Sequence, residues 1–364
     1  MKRFGPRTAL NGLDLSVPRG VVCGFLGPNG AAKTRRIVVI LAAVAVIASA
    51  AWAGTNALDR PAARIWSTSG GGRLVTGSPG ATAGDATPPD SADLPAAAIS
   101  AATLGKSVRH VVVIVLENHE LGSIVGSRNA PYFNGLVKRY GLAVNYTGVA
   151  HPSEPNYLAL FSGSTQGVTD DGVHSFNAPT LADQLEAHGR TWRVVAENVP
   201  LGCSNASVAY NGPDGSGVYA RKHEPAISFN SIRLNSRRCA SITNLRQFNL
   251  TAANFQLVIP NVCHDMHDCS IATGDRFLKS LLSPILASAA FSRTLVFITF
   301  DEGSSDIGGG GRVATVVIGP HVASGYRSTV RHDHYSLLRT VENLWGLGCL
   351  AHSCTANDLH EFFR

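Results

Sequence analysis

Polar side chains that could bind a cation follow three short apolar runs of the 364-residue chain. The three clusters are Glu117 with Asn118, Asp301 with Glu302, and the group His264, Asp265, His267 and Asp268. Carboxylate and amide oxygens suit Mg²⁺, Ca²⁺ or Mn²⁺, and added imidazoles shift the preference toward Zn²⁺ or Fe. A single polar pair after a strand is commonly a turn or a helix cap. Three clusters together predict a site that neutralises anionic oxygens, as phosphoryl transfer requires.

Ser153 is the candidate nucleophile. It lies in the segment His151-Pro152-Ser153-Glu154-Pro155, where two prolines predict a stiff loop that fixes its side chain. A serine in such a setting is activated by metal coordination rather than by a histidine base. Local sequence alone favours an ordinary Pro-Ser turn ahead of the helix Tyr157–Phe161, so this interpretation depends on the wider pattern.

Short β-branched runs alternate with helix-like stretches from residue 107 onward. The runs are Val111–Leu116, Trp192–Ala196, Leu257–Ile259, Leu295–Phe300 and Val313–Ile318. The helix-like stretches are Tyr132–Tyr140, Thr180–His188, Gly274–Ala287 and Tyr335–Leu344. This pattern predicts an α/β fold, a three-layer α/β/α sandwich with a mostly parallel sheet. Sites in such sheets lie outside the carboxyl ends of the strands, where the polar clusters fall.

The basic charge is confined to the N-terminus. Residues 1–36 contain seven Lys or Arg and one Asp, which accounts for the whole net charge of +6. The balanced remainder predicts no nucleic-acid partner. The stretch FLGPNGAAKT resembles the phosphate loop of a transporter ATPase, but Ala32 stands where the loop needs glycine, so residues 1–36 are interpreted as a non-functional fragment.

Export is predicted from the next two segments. Residues 37–53 are an uninterrupted apolar run after Lys33, Arg35 and Arg36, the pattern of a signal peptide or a membrane anchor. Residues 54–105 have the small and polar composition of a flexible linker, which leaves 106–364 as the folded domain. The protein is therefore expected to be secreted, or anchored in the cell envelope and facing outside the cytoplasm.

Six cysteines of the exported part predict disulfides. Sequence proximity favours the local pairs Cys263–Cys269 and Cys349–Cys354, which leaves Cys203–Cys239 as a long-range bridge. Fifteen connectivities are formally possible for six cysteines, so the pairing is a hypothesis from spacing.

Six motifs occur in an order that resembles the bacterial phosphoesterase family of acid phosphatases and phospholipases C. They are LENHE (116–120), HPSEPNYLALFSG (151–163), YARKHEPAISF (219–229), the VIPN…DMHDCS stretch (258–270), FDEG (300–303) and HYSLLRTVENLWGL (334–347). The likeness is greatest to the short secreted acid phosphatases that act on phosphatidylinositol 3-phosphate. It implies a core like that of the alkaline phosphatase superfamily.

The resemblance also implies roles for single residues. The metal ligands would be Glu117, Asn118, Ser153, Asp301 and Glu302, with Ser153 also the nucleophile. Lys222 and His223 would contact phosphate oxygens, while Asp265, His267, Asp268 and His334 belong to motifs that serve catalysis. His267 or His334 would protonate the leaving alkoxide. His119 departs from the family, where arginine is more usual, and His332 is an additional imidazole.

The predicted function is hydrolysis of phosphate monoesters with a divalent metal ion, on a phosphorylated small molecule or a phosphoinositide head group. Contact with a membrane would come only through the N-terminal segment or a lipid substrate. A phospholipase C-type phosphodiesterase and a non-catalytic exported binding protein on the same fold are the alternatives.

Overall fold

The computed structural model describes residues 2–4, 7–10, 99–200, 203, 210–211 and 218–364. The chain divides into two units, Met1–Thr87 and Pro88–Arg364. In the first unit the described residues form one antiparallel pair, Lys2–Phe4 with Arg7–Leu10. The rest of the predicted N-terminal fragment, the apolar run 37–53 and the linker up to residue 98 lie outside the described residues. No helix of the described part is long and apolar enough to cross a membrane.

A nine-stranded sheet forms the centre of the second unit. Its strands are β1 (His110–Leu116), β2 (Gly141–Thr147), β3 (Trp192–Ala196), β4 (Ile242–Asn244), β5 (Phe255–Ile259), β6 (Thr294–Phe300), β7 (Arg312–Ile318), β8 (Arg327–Ser328) and β9 (His332–Asp333). The strand order is β8-β2-β7-β6-β1-β5-β3-β4, and β9 also pairs with β2. Every pairing is parallel except those of β7 with β6 and β2. The prediction of a mostly parallel sheet is confirmed.

Helices cover both faces of this sheet. They are α1 (Ala101–Leu104), α2 (Leu121–Ile124), α3 (Pro131–Arg139), α4 (Ser153–Ser162), α5 (Leu181–Ala187), α6 (Asn230–Arg233), α7 (Ser236–Cys239), α8 (Ile271–Ala287) and α9 (His334–Trp345). Residues 111–116 of β1 are all buried, which requires cover on both faces because successive side chains of a strand point to opposite sides. The longer helices pack in two groups, α9 with α1 and α4, and α3 with α8. The three-layer α/β/α arrangement is thus confirmed.

Two of the predicted helix ends have clear local causes. Thr180 begins α5 with a capping box, in which its side chain accepts from the backbone of Asp183 and the Asp183 carboxylate accepts in return. Asp333 and Ser336 form the same arrangement at the start of α9. These caps place α9, and therefore His334, directly after the edge strand β9.

The direction of β7 corrects one sequence interpretation. Val313–Ile318 is among the runs predicted for the mostly parallel sheet, so the residues that follow it, Gly319–His321, would be expected at the same edge as the other strand ends. Because β7 runs antiparallel to β6, its carboxyl end lies at the opposite edge of the sheet. An apolar run shows that a strand is buried but not which way it runs.

The folded unit includes residues assigned to the linker. Leu104 in α1 is buried, and the Ile99 N–H donates to the Phe363 carbonyl at 3.1 Å. A Cβ on Gly105 would lie 1.5 Å from the Leu344 carbonyl oxygen, so only glycine lets the chain pass α9 so closely. The three disulfides, Cys203–Cys239, Cys263–Cys269 and Cys349–Cys354, have the predicted pairing.

Candidate functional site

Three carboxylates meet where neighbouring parallel strands end. Glu117 follows β1, Asp301 follows β6, and Asp265 lies six residues beyond β5. The strands lie side by side in the order β6-β1-β5, so their carboxyl ends share one edge of the sheet. Backbone hydrogen bonds continue past the strands: Asp301 N–H donates to the Leu116 carbonyl, and Glu117 N–H donates to the Asp265 carbonyl, both at 2.9 Å. All three acids are buried.

Ser153 lies at the centre of this acidic edge. It is the first residue of α4 and is buried, rather than an exposed turn residue. Its Oγ lies 3.1 Å from Glu117 Oε2 and 3.1 Å from Glu302 Oε1. Lys222 Nζ donates to the same Oγ at 3.2 Å. The structure thus gathers the predicted nucleophile, two predicted metal ligands and a predicted phosphate-binding cation around one atom.

The other oxygen of Glu117 faces a second group. Tyr157 donates its hydroxyl to Glu117 Oε1 at 2.5 Å, and His223 Nε2 lies 3.2 Å from the same oxygen. His223 Nδ1 lies 3.6 Å from Asp265 Oδ2. Ligand atoms of Glu117, His223 and Asp265 all lie within 4.8 Å of one another, a spacing that suits a metal ion.

Several buried polar atoms of the site have no hydrogen-bond partner among the described residues. They are Asp301 Oδ2, Asp265 Oδ2 and both ring nitrogens of His223. Buried polar atoms are normally paired, and carboxylate oxygens with imidazole nitrogens are common ligands of divalent cations. A cation among these groups would satisfy the unpaired atoms, so the residues fit one.

Burial, and then the nearby charges, shift the pKa values of two carboxyl groups and one imidazole of the site. Burial, and then the nearby Asp301 and Asp265, raise the pKa of Glu117 well above its usual range. Burial and the adjacent Glu302 raise the pKa of Asp301 to about 7. Burial and the neighbouring Lys222 lower the pKa of His223, which favours the neutral imidazole that can bind a metal.

Asn118 links two of the acids. Its backbone N–H donates to Asp301 Oδ1 at 3.1 Å, and its side-chain amide lies 3.4 Å from Glu117 Oε2. Its backbone has a positive φ of 57°, a conformation that Asn tolerates better than most residues. This turn points the Asn118 amide back toward the carboxylates.

The two histidines considered for leaving-group protonation have different surroundings. His267 is one-third exposed, and its Nδ1 lies 2.8 Å from Asp268 Oδ1. His334 is buried, with Nε2 2.5 Å from the Asp301 carbonyl oxygen and Nδ1 3.1 Å from the Tyr146 hydroxyl. Burial lowers the pKa of His334 to about 4. His334 therefore braces the backbone of Asp301, and His267 is the imidazole at the solvent side.

Four residues of the site had no assigned role in the sequence. Tyr157 lies one helical turn after Ser153, which could have indicated a shared face. His151 Nδ1 contacts Glu302 Oε2, and His151 Nε2 lies 3.0 Å from the Ser305 carbonyl. Buried Arg221 donates to buried Glu154 at 2.6 Å, which ties the RKH segment to the helix of Ser153. The contacts of His151 and Arg221 join residues that are far apart in sequence, so the sequence alone does not indicate them.

An α/β sheet that gathers buried carboxylates, a serine and a lysine at one edge defines a hydrolytic enzyme site. The chain belongs to the Phosphoesterase family, which matches residues 127–348, more than half of its length. It is therefore an enzyme of the class that hydrolyses phosphate esters, as predicted.

Two curated relatives and one solved structure are similar to it. Phosphatidylinositol-3-phosphatase of Mycobacterium tuberculosis is 34% identical over 257 residues, 70% of this chain and 82% of that protein. An acid phosphatase of Aspergillus fumigatus is 31% identical over 67% of this chain and 56% of its own length. A protein in the alkaline phosphatase superfamily from Vibrio parahaemolyticus is 12% identical with a TM-score of 0.46, covering 69% of this chain and 70% of the other.

Proposed function

We propose that the protein is an exported, metal-dependent phosphomonoesterase that uses Ser153 as its nucleophile. The observation that supports this most is the surroundings of Ser153 Oγ, which lies at hydrogen-bond distance from Glu117, Glu302 and Lys222. A buried hydroxyl between two acids and an ammonium group suits attack on a phosphoryl centre. The acids can hold a cation or accept the hydroxyl proton, and the ammonium group can neutralise a phosphoryl oxygen.

A divalent cation is the proposed cofactor. Its candidate ligands are Glu117, Asn118, Ser153, Asp301 and Glu302, and the unpaired atoms of His223 and Asp265 extend the set. A bound cation would supply Lewis-acid neutralisation of phosphoryl oxygens and lower the pKa of a coordinated hydroxyl. The carboxylates favour Mg²⁺, Ca²⁺ or Mn²⁺, while His223 extends the choice to Zn²⁺ or Fe.

The chain's own residues divide the remaining chemistry. Glu117 or Glu302, both acceptors of the Ser153 hydroxyl, takes its proton as Oγ attacks phosphorus. The new Oγ–P bond forms while the bond to the leaving alcohol breaks. Lys222 neutralises a phosphoryl oxygen, and His267, at the solvent side, gives its proton to the departing alkoxide. A water then attacks the phosphoserine, which releases phosphate and returns a proton to Ser153. Direct attack by water, with Ser153 only a ligand, is the competing route.

The proposed substrate is a phosphate monoester, either a small molecule or a phosphoinositide head group. The relative named phosphatidylinositol-3-phosphatase and the relative named acid phosphatase both support this choice. Export is proposed from the apolar run 37–53, and the three disulfides support it because such bonds persist in oxidising compartments.

The test compares purified full-length chain and its Ser153→Ala variant on a chromogenic phosphate monoester and a matched diester. We expect monoester hydrolysis that a chelator abolishes and added divalent cation restores. Ser153→Ala should lower kcat by about 100-fold or more, while Ser280→Ala, at an exposed position of α8, should change nothing. Absence of monoester hydrolysis with every divalent cation contradicts the function. Full activity of Ser153→Ala contradicts only the covalent route.

A further inference from the structure

We propose that Asp171 is a positioning residue that aims the Lys222 ammonium group at Ser153. The inference rests on the proposed function, because Lys222 is given its phosphate-binding role there. Lys222 Nζ donates to Asp171 Oδ2 at 2.8 Å and to Ser153 Oγ at 3.2 Å. The ammonium group therefore lies between one carboxylate outside the acidic cluster and the proposed nucleophile.

Asp171 is itself fixed to the nucleophile's helix. Its second oxygen, Oδ1, accepts from the backbone N–H of Glu154 at 3.1 Å, and Glu154 directly follows Ser153. One carboxylate thus connects the first turn of α4 with Lys222. This geometry restricts how far the flexible four-carbon stem of Lys222 lets the ammonium group move away from Ser153.

A network around the buried pair Arg221 and Glu154 holds the exposed segment of Asp171 in place. Arg221 donates to Glu154 Oε1 at 2.6 Å and to the His174 carbonyl at 3.0 Å. His174 Nδ1 lies 3.2 Å from Glu154 Oε2. Glu154 thus holds the segment at two points, through its backbone N–H at Asp171 and through its carboxylate at His174. The carboxylate of Asp171 is therefore less mobile than that of an ordinary surface ion pair.

The position of Asp171 also opposes an alternative pose of the lysine. Glu117 and Asp301 attract the Lys222 ammonium group, and together with Asp171 they raise its pKa despite the opposing effect of burial. Without Asp171 the side chain would be drawn toward those acids, into the space proposed for the cation. Asp171 keeps Lys222 at the side of Ser153, where a phosphoryl oxygen can meet it.

The experiment compares Asp171→Asn with Asp170→Asn in the full-length chain. Asp170 is exposed and contacts neither Lys222 nor Ser153 in the described part of the chain. Its Oδ1 accepts from the Gly172 N–H at 2.8 Å and lies 3.2 Å from His174 Nε2, and the amide oxygen of an asparagine keeps both contacts. We expect Asp171→Asn to lower kcat for the chromogenic monoester by about tenfold or more, with a smaller change in KM. Asp170→Asn should match wild type. In a Lys222→Met background, Asp171→Asn should have no additional effect, because its role acts through that lysine.

A second readout does not need hydrolysis. The rate at which an amine-acylating reagent modifies Lys222, followed by peptide mass spectrometry, should rise severalfold in Asp171→Asn and not in Asp170→Asn. Wild-type kcat in Asp171→Asn, or additive losses with Lys222→Met, overturns the inference. If wild type hydrolyses no monoester, the proposed function fails and the labelling decides alone: unchanged labelling overturns the positioning role, and faster labelling supports it.

Discussion

At the scale of residues, the two carboxylate oxygens of Glu117 have different partners, so that this one side chain connects two groups of the site. Oε2 faces Ser153, while Oε1 faces Tyr157 and His223. One buried carboxylate therefore contacts both the proposed nucleophile and His223, whose Nδ1 lies 3.6 Å from Asp265 Oδ2. Buried acids this close repel one another when ionised, so the site weakens the fold unless a cation or a proton compensates.

Asp301→Asn tests this repulsion. The amide keeps an acceptor for the Asn118 N–H and removes a charge beside Glu302, so the variant should be more stable than wild type in chelator. We expect Tm to rise by about 2–4 °C, which corresponds to roughly 1 kcal/mol in a domain of this size. Added Mn²⁺ should raise Tm in wild type and much less in the variant, since binding to the native state stabilises it.

Asp306→Asn is the control for that measurement, because Asp306 has a fully exposed side chain. It should follow wild type both in chelator and in Mn²⁺. A variant Asp301→Asn that is less stable than wild type in chelator, and that keeps the whole response to Mn²⁺, contradicts a repulsive cation site.

At the scale of elements, a glycine run supports the segment that leads to Ser153. Residues 309–311 approach the backbone of residues 148–150 closely, and a Cβ on Gly310 would lie 2.6 Å from the Ala150 carbonyl oxygen. Gly310 has an ordinary φ of −138°, so close approach rather than left-handed geometry requires glycine. From the sequence alone, Gly308–Gly311 are interpreted as a mobile loop beside the metal site, because a run of glycines does not show which backbone it packs against.

Gly310→Ala should push residues 148–150 aside and move the loop that carries His151 and leads to Ser153 at the start of α4. We expect a loss of about 1–3 kcal/mol in the free energy of unfolding, as for other overpacked sites, together with a lower kcat. Gly135→Ala in α3 is the matched change, since its Cβ would meet nothing within 4 Å and alanine favours helix by about 0.5–1 kcal/mol. Urea unfolding of both variants gives the comparison. Wild-type stability and activity in Gly310→Ala would show that the glycine run supports nothing.

The elements also show what sequence could and could not predict. The central strands β1, β5 and β6 were predictable because continuous β-branched runs are typical of strands buried on both faces. The edge strands β4, β8 and β9 have only two or three residues, too few for a pattern. The direction of β7 and the position of Asp171 beside Lys222 depend on contacts between residues far apart in sequence. The spacing of residues along the chain does not indicate such contacts.

At the scale of the whole molecule, the disulfides connect the fold with its proposed compartment. All six cysteines of the second unit are paired, and Cys263–Cys269 encloses the segment of Asp265 and His267. The chain-entropy relation gives about 4 kcal/mol for Cys203–Cys239 and about 2 kcal/mol for each local bridge. A domain whose stability depends on three disulfides fits the proposal that it folds after export. The seventh cysteine, Cys23, precedes the proposed signal segment.

Counting thiols therefore tests export, pairing and cleavage together. We expect the protein recovered from the cell envelope or the medium of its host to contain no free thiol after denaturation without reductant, because cleavage near Ala53 would remove Cys23 and the other six would be bridged. Labelling with a maleimide and intact-mass spectrometry gives the count, and reduced protein is the positive control at six thiols. One thiol instead of none indicates an uncleaved anchor that keeps Cys23. Recovery of the active protein from the cytoplasm with six or seven free thiols contradicts both the export proposal and a structural need for the bridges.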